Sequence, residues 1–108
     1  MGYVYLLLQV NSEGEETFKI GISKNHPELR LKQLSTGNPN KISVLNFYES
    51  INYKKVEKWL HNRYANHKTL ANNEWFDLTN ENVVSFITDC KKADEVISSL
   101  IKENPFYK

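Results

Sequence analysis

The chain has 108 residues, 40% hydrophobic and 25% charged, with a net charge of +1. At that length and composition one globular core is expected and a second independent domain is not. No apolar run approaches the roughly 20 residues that span a bilayer. Cys90 is the only cysteine, which leaves neither an internal disulfide framework nor a cysteine zinc site and makes an intracellular location the default.

The small net charge hides a strong partition. Residues 1–16 carry three glutamates and no Lys or Arg, a balance of −3. Residues 17–73 carry ten Lys and Arg against Glu28, Glu49 and Glu57, a balance of +7. Residues 74–108 carry seven acids against four lysines, a balance of −3. A basic middle between acidic ends points to an anionic partner for the middle, with a solvated lysine-rich surface as the alternative.

The segments GYVYLLLQV and TFKIGIS are rich in β-branched and aromatic residues and flank the polar turn NSEGEE, which predicts a hairpin. The first segment is too short for a signal peptide and lacks a basic start and a cleavage site. Period-2 alternation places Val4, Leu6, Leu8, Val10, Phe18, Ile20 and Ile22 toward the core. The other face then holds Tyr3, Tyr5, Lys19, Gly21 and Ser23, a polar platform. A glycine inside a strand marks a bulge or a close approach of another group.

HPELRLKQLSTGNP predicts a helix, with Pro27 in its first turn and Gly37 and Pro39 at its end. Leu31 and Leu34 face inward, Arg30 and Lys32 the rim. KISVLNFYES is a third strand. NYKKVEKWLHNRYANH predicts a second helix with Tyr53, Val56, Leu60 and Tyr64 on one apolar stripe, and Glu57 and His61 one turn apart at its edge. ANNEWFDLT is a loop around a short extended segment. A last helix starts after the N-cap Thr79, turns Val83, Ile87, Cys90, Ile97 and Leu100 inward, and breaks near Lys92. The sum is an α+β fold, a small and mainly antiparallel three-stranded sheet flanked by helices.

YVY on the first strand, KIG on the second, Arg30 nine residues after Gly21, and Glu57 in a later helix together resemble the GIY-YIG nuclease superfamily. The run FKIGIS, LRLKQLSTGNP, VEKWLHNRY, NEWF is similar to its phage and large-DNA-virus branch, with a K-I-G second motif, an E-x-x-L-H helix and an E-W-F segment. The resemblance spans about residues 3–88 of a single domain 1–108, with a helical extension over 89–108.

That resemblance implies metal-dependent endonuclease activity on DNA, with one divalent ion, Mg²⁺ or Mn²⁺. Tyr5 is implied as the general base or the group that orients the attacking water, Arg30 as the group that stabilises charge on the scissile phosphate, and Glu57 as the metal-binding carboxylate. His61 matches the branch's histidine. Lys19 stands where the superfamily has a second tyrosine, so it either binds phosphate or acts on Tyr5. Tyr3, Gly21, Ser23, Lys24 and Lys32 are candidate nucleic-acid contacts around them. A guanidinium suits a phosphodiester's developing charge, and magnesium, which keeps most of its waters, can be held by one carboxylate.

Structural alternatives stand beside each assignment. Tyr3 and Tyr5 are also cross-strand aromatics, Gly21 a bulge, and Arg30 a rim cation. Glu57 is also a helix-face partner for Lys54 or His61, and the pair at i, i+4 has the spacing of a transition-metal site lacking a third ligand. Asn72 and Asn73 stand where many superfamily members carry an active-site asparagine. Glu74, Trp75 and Phe76 read as a structural plug, His67 as surface, and Cys90 as a small buried apolar residue. Two other functions fit the same residues: a non-catalytic nucleic-acid-binding module of this fold, and a viral protein-interaction factor acting through the acidic last helix.

Overall fold

The computed structural model describes residues 1–35, 41–69 and 75–103, with the side chains of Arg30, Leu34 and Ser35 outside that set. Strands β1 (Gly2–Val10) and β2 (Glu16–Ser23) form the predicted hairpin. Asn11 closes its turn by accepting from the backbone N–H of Glu13 and Glu15, both at 2.9 Å, and Gly14 takes the left-handed φ of 82° that the turn requires. Helix α1 (Pro27–Ser35), strand β3 (Lys41–Ser50) and helix α2 (Tyr53–Arg63) follow. After a 3-10 turn (Ala65–His67) come β4 (Trp75–Phe76), α3 (Asn80–Val84) and α4 (Phe86–Glu103).

The strands form one antiparallel sheet in the order β3-β1-β2-β4. The fourth strand is the short extended segment of the sequence reading, which gains strand status by pairing Phe76 with Phe18 and Trp75 with Lys19. Between β1 and β3 the register slips at Leu6/Leu7, leaving Leu45 as the extra, exposed residue of a bulge.

One face of the sheet carries the core. Val4, Leu6, Phe18 and Ile20 meet the α2 stripe of Tyr53, Val56, Leu60 and Tyr64, together with Phe76, Phe86, Cys90 and Ile97. The predicted alternation is observed except at Val10, which is half-exposed beside the hairpin turn and outside the core, and the α2 stripe is observed; Phe76 and Cys90 are core residues as expected.

The opposite face departs from a polar platform. Tyr5 and Leu7 are only 2% and 1% exposed there. Position 26, which leads into α1, brings its ring within 4.7 Å of the Phe47 centroid, and Tyr3 packs on both rings. The sheet is therefore covered on both sides where Tyr5 stands, because α1 packs back against β3.

Thr79 caps α3 through reciprocal bonds with Asn82, as its position predicted. The break falls at Ser85 rather than near Lys92, and α4 runs unbroken through Lys92. Phe86, Cys90, Ala93, Ile97 and Ile101 form its inward stripe, while Leu100 is 41% exposed. The 3.6-residue repeat extended from Ile97 selects Ile101 over Leu100.

Two aspartates tie α4 down. Asp89, on a helix turn packed against α2, accepts from the Tyr64 hydroxyl and from Ser85 Oγ, and pairs with Arg63 Nε at 3.4 Å. Asp94 accepts from Tyr48 at 2.8 Å, Ser50 at 2.9 Å and Asn52 at 2.8 Å. Burial pushes Asp94 up, but the bonds from Asn52, Tyr48 and Ser50 outweigh it and hold its carboxyl below the ordinary value. Burial, followed by the charges of Asp89 and Asp94, pushes the Cys90 thiol up to about 12, the behaviour of an inert core thiol.

Candidate functional site

The site lies along the outer edge of β2. Strand β4 pairs with that edge at Phe18 and Lys19, and among the described residues no strand pairs there from Ile20 onward. Helix α2 crosses the core face and brings Glu57 and His61 to this edge. They lie about 20° and about 60° round the helix from Tyr64, the nearest residue of the buried stripe, at about 100° per residue.

His61 bonds the backbone of β2 one residue past its last described pair with β4. Its Nε2 lies 2.9 Å from the Ile20 carbonyl oxygen. A carbonyl can only accept, so Nε2 bears the hydrogen and the neutral ring keeps its lone pair on Nδ1. The ring stands edge-on to Phe76, centroids 5.0 Å apart, which fixes its plane. A strand carbonyl, a core aromatic and a helix turn thus orient one imidazole.

From the other face, Tyr5 reaches the same edge across its register partner Gly21. A Cβ built on Gly21 would stand 2.5 Å from Tyr5 Cζ, well inside contact distance. Gly21 therefore leaves room for the Tyr5 ring. The close approach that a strand glycine marks is here that of the Tyr5 ring.

Lys19, next along β2, holds its Nζ 5.7 Å from the Trp75 ring centroid, a cation over an aromatic face. Tyr5, Lys19, Ile20, Gly21, Ile22, Glu57 and His61 together line a cleft of about 290 Å³. A phenol, an ammonium, a carboxylate and an imidazole thus converge from β1, β2 and α2. Glu57 is half-buried there and engaged with a neighbour.

The remaining predicted residues lie elsewhere. Tyr3 does not line the cleft; it bonds Glu49, its partner on β3, and that bond first, then burial, raises its hydroxyl pKa. Ser23 Oγ accepts from the Asn25 N–H at 3.2 Å and serves the turn after β2. Lys24 lines a different hollow, of about 400 Å³, with Ile51, Asn52, Tyr53, Lys54 and Lys55. Lys32 is exposed on α1. Tyr3, Ser23, Lys24 and Lys32 thus stand outside the lining of the cleft. Arg30 stands on α1, its side chain outside the described residues, as are Asn72, Asn73 and Glu74.

The bond from His61 to Ile20 escaped the sequence reading, since no local pattern reports which strand carbonyl α2 brings His61 against. For a metal, the donor set is spare. Among the described residues no three of His, Cys, Asp and Glu converge. One carboxylate beside an imidazole whose Nε2 is committed to backbone suits a hard divalent ion that keeps its waters, and does not make a zinc cage.

No helix among the described residues is long and apolar enough to cross a membrane. Comparison with curated proteins and with solved structures returned no significant match. The T5orf172 domain model matches residues 2–92, which takes in all four strands, α1 to α3 and every residue of the cleft. With that match over most of its length, the chain belongs to the T5orf172 domain family, a domain found in phage proteins and related to nuclease folds.

Proposed function

We propose that this cleft binds a nucleic-acid phosphodiester, DNA in preference to RNA, and hydrolyses it as a GIY-YIG-type endonuclease dependent on Mg²⁺ or Mn²⁺. The observation that carries the reading is the convergence of Tyr5, Lys19, Glu57 and His61 on one cleft from three separate elements. The family match, to a domain related to nuclease folds, and the +7 balance of residues 17–73 support it.

Hydrolysis requires a water to be oriented and deprotonated, and the charge that grows on the phosphate oxygens to be neutralised. Tyr5, pinned over Gly21 with its ring buried, orients the water. His61 accepts the proton at Nδ1, because Nε2 already donates to Ile20. Lys19 supplies fixed positive charge at the cleft wall, taking the place of the superfamily's second tyrosine. Arg30 is assigned to the scissile phosphate by the resemblance alone. Glu57 would hold the divalent ion, which supplies further neutralisation at the phosphate and the leaving oxygen.

The test is incubation of the full chain with plasmid and with single- and double-stranded oligonucleotides, with and without each metal. Cleavage that needs metal and is lost in Glu57→Gln is expected. No cleavage of any substrate, or equal cleavage by the variant, overturns the reading.

A further inference from the structure

The outer surface of α2 continues from the cleft in a definite order. At about 100° per residue, Lys54 and Lys58 come next after Glu57 and His61 round the helix. Lys55 and Asn62 follow, then Trp59 and Arg63, before the buried stripe returns. Glu57 is the sole acid of α2, so every charged residue beyond it on this path is a cation.

The part of this surface that faces α4 is grooved. Lys55, Lys58, Trp59 and Asn62 line a trough of about 280 Å³ against Ile97 of α4. At Lys55 the trough meets the hollow that holds Lys24 and Lys54. Trp59 is half-buried in it and braced by Arg63, whose guanidinium carbon lies 5.6 Å from the ring centroid. On the α4 side, Asp94 is already held by three hydroxyl or amide donors. The trough thus pairs a row of cations with an immobilised indole.

We infer that this trough is a track for a single-stranded nucleic-acid segment continuing from the cleft, with phosphates on Lys54, Lys55 and Lys58 and an unstacked base against Trp59. The inference rests on the proposed nuclease reading and names the strand form it handles. A recessed indole can be reached by a base splayed out of a strand, whereas a duplex keeps its base faces inside the stack. Basic grooves with aromatic platforms bind single strands through these two contacts.

The experiment measures binding of a labelled oligothymidylate and of the corresponding duplex, without metal, in the Glu57→Gln background. The triple variant Lys54→Gln, Lys55→Gln, Lys58→Gln is expected to lose at least about 30-fold in affinity. Its slope of log K against log salt should fall by about 2, since each single-strand phosphate contact contributes about 0.7. Trp59→Ala should cost about tenfold with the salt slope unchanged, and Trp59→Phe should restore most of it, which separates stacking from a folding defect.

Unchanged affinity and slope in the triple variant, or tighter binding of the duplex than of the single strand, would overturn the inference. If the chain with Glu57 intact still cleaves nucleic acid in either case, the nuclease reading stands without it. Absence of binding to both probes, with no cleavage by the unaltered chain, removes both.

Discussion

Gly2 and Gly21 sit on opposite faces of the same sheet, and each lies under a tyrosine ring. A Cβ on Gly2 would come within 2.7 Å of the Tyr53 ring, and one on Gly21 within 2.5 Å of Tyr5 Cζ. The device is the same, a missing side chain that lets an aromatic lie flat on the strand. The outcomes differ with what lies beyond each ring. Tyr53 begins the buried stripe of α2, so its contact docks a helix. Tyr5 crosses β2 toward its outer edge, so its contact places the ring in the wall of a cleft. The same close approach docks a helix on one face and lines a cleft from the other.

The largest break in this contrast should come from Glu57→Gln. Removing the carboxylate charge from the cleft is expected to lower metal-dependent cleavage by at least about 100-fold, with thermal unfolding little changed. Next comes Gly21→Ala, which forces the Tyr5 ring off its seat. Cleavage should drop by about tenfold or more, with a stability loss of about 1–3 kcal/mol from overpacking. Gly2→Ala should show a similar loss in denaturant unfolding but full activity per folded molecule. If the two glycine variants lose activity equally, the division between a docking glycine and a site glycine fails.

The smallest effect concerns the polar anchor of α4, remote from the cleft. Because the folded-state pKa of Asp94 is lowered, its contribution to stability is present above the unfolded value and lost as pH falls through the folded one. Asp94→Asn should cost about 1–2 kcal/mol at neutral pH, where the carboxylate accepts three bonds. The difference from the unaltered chain should shrink below about pH 4 and leave cleavage rates unaffected at neutral pH. A penalty constant down to strong acid would show that Asp94 anchors through shape rather than charge.

Much of the architecture could be taken from the chain itself. Period-2 alternation in β1 and β2 named the core face, and the spacing of Tyr53, Val56, Leu60 and Tyr64 named the stripe of α2, because both repeats follow directly from backbone geometry. Thr79 was legible as a cap for the same reason. The break of the last helix was not, since Ser85 interrupts a pattern that stays apolar on both sides. Asp89 and Asp94 were also missed: an aspartate on a helix gives no local sign that Tyr64 or Tyr48 will arrive to bond it.

For the site, the sequence by itself determined which chemistry-bearing groups are present and their order: Tyr5, Lys19, Arg30, Glu57 and His61. It also set Glu57 and His61 on one side of a helix, because that follows from the helical repeat alone. Only the tertiary structure decided that Trp75 pairs beside Lys19, that His61 meets the carbonyl of Ile20, and that Tyr5 fills the space above Gly21. Those outcomes depend on how elements distant in the chain are placed relative to one another. Local periodicity carries no information about that placement; close packing does.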